Sequence, residues 1–180
     1  MDKQIKESLI ERIDNGEIKT YFQLKIFLDL NGLELNKGIL LLFCYEHYQQ
    51  SYSLFTDIVT NHSDIDDYLK DNKIIKRIIS IHGRYVDYNS PNQFNMNKIF
   101  VPLFKRRPGI LINYYLKYFE NDRYDLTEYM GKNTSNFLFF EGLLLTLLQN
   151  ARNINSSYQK YLVMVEKKMN EIYKNIAYLK

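Results

Sequence analysis

Arg77 and His82 bracket the run Arg77-Ile78-Ile79-Ser80-Ile81-His82. They pair a permanent cation with the side-chain type whose charge changes nearest neutral pH. Little else in the sequence has the spacing of a reactive site. The histidines are His47, His62 and His82, and none stands in an HExxH-type ligand pair. Cys44 is the single cysteine, so neither an intramolecular disulfide nor a cysteine-based zinc site is available. It lies in the apolar run Ile39-Leu40-Leu41-Leu42-Phe43-Cys44-Tyr45, where a buried, inert thiol is expected. The seven glycines are scattered, with no phosphate-cradling loop and no GxSxG elbow. Asp64, Asp66 and Asp67 lack the turn glycine and distal glutamate of a calcium loop and read as a solvated helix start. No metal and no cofactor is expected.

The spacing of Arg77 and His82 resembles the motif of the HEPN superfamily, all-helical domains that include metal-independent ribonucleases. The resemblance covers six residues and departs from the family at Ile78, where a polar residue usually follows the arginine. It implies that Arg77 and His82 would stabilise and protonate phosphate oxygens around attack by a 2′-hydroxyl. In a continuous helix the two positions project about 140° apart, with His82 in the middle of an apolar face. A core or boundary histidine is therefore the alternative to a catalytic one.

Charge gives a broader signal. Residues 1–67 carry six Lys/Arg against twelve Asp/Glu, and residues 70–118 carry ten against two. The local balances of −6 and +8 sit inside a chain of 180 residues whose net charge is only +3. Such a split suggests a basic surface for an anionic partner, or two halves that pair with each other. Two features concentrate the positive charge. Lys73, Lys76, Arg77, Ser80 and Arg84 fall within about 100° on one helix, opposite Ile74, Ile75, Ile78, Ile79 and Ile81. Lys105-Arg106-Arg107 stands beside the break at Pro108-Gly109. The expected nucleic-acid-binding residues are thus Lys73, Lys76, Arg77, Arg84, Lys105, Arg106 and Arg107. They neutralise phosphates without reading sequence. Interleaved aromatics from Tyr85 to Tyr118 could stack on single-stranded bases where exposed, although most suit a core.

The elements that position these residues read as helices. The pattern predicts a single compact all-α domain over 1–180, with about eight to ten helices. It comprises an acidic helical half (1–67), the basic segment (70–118), a central helix (134–153) and a C-terminal helix (155–180). Helices are expected over 2–14 and from Thr20 to Leu30, each followed by Asn-Gly, then from Asn36 to about Gln50 and over 51–61. A loop is expected over 87–97, a helix from Ile110 to Glu120 and a short one over 125–131. The central helix is apolar nearly all round, with Phe137 to Phe140, Leu143 to Leu145, Leu147 and Leu148. Neighbours are therefore expected on several sides of it. Glu141, Thr146 and Gln149 make this run unsuitable for a bilayer. Tyr158, Leu162, Val165, Met169, Ile172, Ile176 and Leu179 alternate four and three apart. That seam suits a long bundle helix or a homodimer through two copies, and the dimer is the favoured expectation.

The N-terminus, Met-Asp-Lys-Gln-Ile-Lys-Glu, is polar and carries no signal-peptide pattern, so a cytoplasmic protein without membrane attachment is expected. Abundant Asn, Ile, Lys and Tyr with scarce Ala suggest an AT-rich genome: a low-GC bacterium, its phages or mobile elements, or a large DNA virus. The favoured function is a non-enzymatic regulatory or accessory protein that binds nucleic acid or a nucleoprotein complex through residues 70–118. The alternatives are a virus- or mobile-element-encoded protein-binding inhibitor or adaptor, and the HEPN-like ribonuclease.

Overall fold

A computed structural model describes residues 1–45, 48–85, 96–123 and 134–178. Within these ranges the side chains of 41, 43–45, 48–50, 81–85, 96, 134–136 and 176–178 are left undescribed. The described chain is all-α, with no strand among the described residues. It divides into two compact units, Met1–Arg77 and Ile78–Lys180.

In the first unit α1 (Lys3–Asp14) starts at Asp2, whose carboxylate accepts the Gln4 N–H at 2.8 Å. α2 (Tyr21–Leu30) starts with a capping box, in which Thr20 and Gln23 each satisfy a backbone N–H of the other. Both helices end in a glycine at positive φ, Gly16 at 82° and Gly32 at 65°. At each, two backbone bonds run back into the last turn, as in Leu33 N–H to Leu28 O and Gly32 N–H to Asp29 O. The Asn-Gly pairs therefore act as the stops their residue types suggest. The Asn36 side chain accepts the Ile39 N–H at the start of α3 (Lys37–Tyr45). α4 (Tyr48–Asn61) packs against α1, α2 and α3 and buries Leu54, Phe55, Ile58 and Val59. Its Asp57 accepts the Tyr21 N–H at 2.8 Å, tying the start of α2 to this hub.

A 3-10 turn (Ser63–Ile65) and the single turn α5 (Asp66–Leu69) lead to α6 (Asn72–Tyr85). The solvated acidic start expected here is only partly present: Asp64 and Asp67 are exposed, whereas Asp66 is buried. Asp71 pairs with Lys37 and accepts the Lys73 N–H at the head of α6.

In the second unit α7 (Met96–Arg106) turns through one residue, Arg107, into α8 (Pro108–Lys117). Proline suits the first position of α8, where its missing N–H has no helical partner. Residues 119–123 are again helical. α9 (Thr134–Ile154), a 3-10 turn (Ser156–Tyr158) and α10 (Gln159–Tyr178) complete the unit. α9 packs on α7, α8 and α10, and α10 packs on α8. Rings from three helices and the 119–123 turn form the core. Phe140 meets Phe100 at 5.3 Å, Tyr114 at 5.7 Å and Phe119 at 5.9 Å between centroids.

The central helix departs from expectation in a specific way. It buries one face, Phe137, Phe140, Glu141, Leu144 and Leu148, spaced at three, one, three and four. Leu138 on the flank and Phe139 on the opposite side lie about half exposed. The apolar surface is wider than the packing it receives, because α7, α8 and α10 all approach from one side. The C-terminal seam is also accounted for within the chain. Leu162, Val165 and Ile172 are buried against the unit's own helices and Met169 is half-buried. A dimer through these side chains would have to open that packing. Of the loop expected over 87–97, residues 96 and 97 already belong to α7 and the rest lies outside what is described, as do Leu179, the helix at 125–131 and the side chains of Cys44 and Ile176.

Candidate nucleic-acid interface

The basic stripe stands on α6, which is unbroken from Asn72 to Tyr85. Ile74, Ile75, Ile78 and Ile79 are buried, as the pattern requires. The opposite side is less open than expected. Lys73 is exposed, Lys76 and Arg77 are half-buried, and Ser80 is buried. The Arg77 Nε is enclosed, and Lys76, Arg77 and Ser80 all have interaction partners. The stripe is thus a partly engaged edge of the packing. The side chains of His82 and Arg84 are not described. The continuity of α6 keeps positions 77 and 82 about 140° apart, the rotation that five residues of helix impose.

The basic cluster is better placed. Lys105 and Arg107 are exposed and Arg106 is half-buried, around the one-residue corner between α7 and α8. The ring of Phe104 packs against Tyr158 with centroids 6.2 Å apart. That contact sets the last turn of α7 beside the first turns of α10. Arg152, at the end of α9, donates to Gln159 at 3.3 Å, and Lys160 lies over the Tyr161 ring at 4.9 Å. Arg152 and Lys160 therefore join Lys105, Arg106 and Arg107 at one end of the unit, with Tyr158 and Tyr161 half-exposed among them. A count by segment misses Arg152 and Lys160, which lie well beyond residue 118. The signal that finds them is the long-range ring contact. The aromatics of the basic segment itself are mostly core: Phe100, Phe104, Tyr114 and Tyr115 are buried, and Tyr118 is exposed.

The acids of this unit are arranged differently. Residues 78–180 carry fourteen Lys/Arg and eight Asp/Glu, a balance of +6. Three of the eight face inward or are neutralised. Glu141 is 3% exposed and accepts the Tyr115 hydroxyl at 2.5 Å and the Tyr173 hydroxyl at 2.7 Å, beside Arg123. Asp122 is buried and accepts the Tyr114 hydroxyl at 3.0 Å. Glu120 pairs with Lys168 at 2.8 Å and also accepts from Asn175. Lys98, Lys105, Lys117, Lys160, Lys167 and Lys174 remain at the surface. Arg123 is buried with them and Lys168 is taken up by Glu120, so among the described residues the burial of these groups leaves the surface one charge more positive.

The buried network also fixes a pH response. Partial burial first, then the hydrogen bond to Glu141, push the Tyr173 phenol up from 10.0 to about 12. The folded state thus favours the neutral phenol. This contribution is complete below pH 10, the unfolded value, and disappears as the pH rises through about 12. Burial and the same carboxylate push Tyr115 further in the same direction. The melting temperature is expected to fall above pH 10, and less steeply in Tyr173→Phe. Identical slopes for the two proteins would separate the alkaline transition from this phenol.

No group of three or more His, Cys, Asp or Glu among the described residues is placed to hold a metal ion. No described helix is long and apolar enough to cross a membrane. Comparison with protein-family models, curated proteins and solved structures gives no match for this chain.

Proposed function

We propose that this chain is a non-enzymatic regulatory or accessory protein that binds nucleic acid, or a nucleoprotein complex, through the phosphate backbone. The contact surface is the basic end of residues 78–180, centred on Lys105, Arg106, Arg107, Arg152 and Lys160. The observation that carries this reading is the exposed or half-exposed set Lys105, Arg106, Arg107, Arg152 and Lys160, while Glu141 and Asp122 are turned inward with one buried arginine, Arg123. Phosphate contacts release condensed counterions, so affinity follows surface charge more than composition. No side-chain arrangement here favours base-edge readout, so binding without strong sequence preference is expected.

Labelled single- and double-stranded DNA and RNA, titrated at two salt concentrations, test the proposal. Affinity should fall steeply with salt. Arg107→Glu and Lys160→Glu should each lower the salt slope by about one on duplex DNA, with little change in melting temperature. No binding to any of the four probes at low salt overturns the proposal. Binding that Arg107→Glu and Lys160→Glu leave unchanged removes this end of the unit as the contact surface.

A further inference from the structure

The basic end of residues 78–180 carries more than positive charge. Three rings run in file from the core to its surface. Buried Phe104 lies 6.2 Å from Tyr158, and Tyr158 lies 6.2 Å from Tyr161, between centroids. Tyr158 and Tyr161 are half-exposed. Their hydroxyls make no hydrogen bond among the described residues and are not enclosed, so they reach solvent. Tyr114, Tyr115 and Tyr173 differ, since each donates its hydroxyl to a carboxylate. Ile154, at the end of α9 and two residues from Arg152, is 90% exposed.

These groups fit a strand whose bases are free. In a duplex the bases are stacked on one another and offer a protein only their edges. Tyr158, Tyr161 and Ile154 present ring surface and an apolar side chain, which neither edges nor phosphates match. An unpaired base offers a π-face to such a ring, whatever its sequence. The ammonium of Lys160 lies over the Tyr161 ring at 4.9 Å from its centroid, and Lys160 is exposed. An exposed cation is held over a ring less strongly than a stacked base is. A base therefore takes the ring face while the Lys160 ammonium swings to the adjoining phosphate. Tyr118, the exposed ring of the basic segment, stands at the far end of α8, about 15 Å along the helix from Arg107, and lies apart from this group.

We infer that the basic end is built for single-stranded nucleic acid, with Tyr158 and Tyr161 stacking on unpaired bases while Arg107, Lys160 and their basic neighbours hold the adjoining phosphates. The inference rests on the nucleic-acid reading above and names the form of strand that the surface takes.

Fluorescence anisotropy of the full chain with four labelled probes of about 16 nucleotides provides the test. The probes are an oligothymidylate, an oligouridylate, a deoxyribose-phosphate strand without bases, and duplex DNA. The base-carrying single strands should bind about tenfold or more tighter than the baseless strand, and tighter than the duplex. The tighter of the two identifies the sugar. Their advantage over the baseless strand should hold at two salt concentrations, because stacking releases no counterions. Tyr161→Ala should lower affinity for the base-carrying strands about tenfold, with the salt slope and the affinity for the baseless strand unchanged. Tyr161→Phe keeps the ring and should bind as the wild type does. Equal affinity for the base-carrying and baseless strands overturns this inference and leaves backbone binding standing. That comparison needs no variant, so it decides the matter even where Tyr161→Ala alters the fold. A folded Tyr161→Ala with wild-type affinity for the base-carrying strands overturns it as well. No binding to any probe at low salt overturns the nucleic-acid reading itself.

Discussion

Leu144→Asp is expected to abolish cooperative unfolding of the 78–180 unit. Leu144 is 1% exposed, in the middle of the buried face of α9, one turn from both Phe140 and Leu148. The carboxylate would replace a side chain surrounded by α7, α8 and α10. Desolvating an unpaired ion there costs more than about 4 kcal/mol, a large part of a domain's stability. Denaturant titration followed by far-ultraviolet circular dichroism reads the effect. A wild-type midpoint for Leu144→Asp would show that α9 is not the centre of this unit. Phe139→Asp, on the half-exposed opposite side, is the internal control and should shift the midpoint little.

The second large effect is expected at Glu141. Its two oxygens each accept a tyrosine hydroxyl, from Tyr115 on α8 and Tyr173 on α10, while Arg123 lies beside them with its guanidinium 5.6 Å from the Tyr173 ring. Removing the carboxylate leaves the fully buried Tyr115 hydroxyl and the Tyr173 hydroxyl without their acceptor. Glu141→Ala should cost about 3 kcal/mol, from the orphaned polar groups and the cavity together. Glu141→Gln keeps one acceptor oxygen and the volume, so it should cost less than half as much. Urea unfolding of the two variants measures both. Equal, small losses would mean that the carboxylate contributes nothing beyond packing.

Local features were legible because local chemistry determines them. Asp2, Thr20 and Asn36 could be read as helix starts, and Asn15-Gly16 and Asn31-Gly32 as stops, since caps depend on a few neighbouring residues. The isoleucine face of α6 was equally plain. The buried face of α9 was not, because leucine and phenylalanine occur on nearly every side of it and hydrophobicity cannot choose between them. Glu141 looked like an interruption in an apolar run. Its partners lie on helices 26 and 32 residues away, and nothing in a one-dimensional pattern pairs them. The heptad seam of α10 was visible, but a seam does not say whether the surface it packs on belongs to the same chain. The basic end of the second unit is a similar case. Lys105 and Lys160 are 55 positions apart in sequence and are gathered through Phe104 and Tyr158.

The breadth of apolar surface on α9 creates an ambiguity that its leucines do not resolve. Rotating such a helix about its axis exchanges one set of leucines and phenylalanines for another, at nearly equal hydrophobic gain. The carboxylate of Glu141 breaks this degeneracy, because a rotation by even one residue would carry it away from two phenols on two different helices. The side chains of α9 thus divide their labour: leucine and phenylalanine drive the collapse, and one acid indexes the angle. Glu141→Leu is therefore expected to keep the helix content while broadening the side-chain NMR spectrum, as several rotations come to share the population.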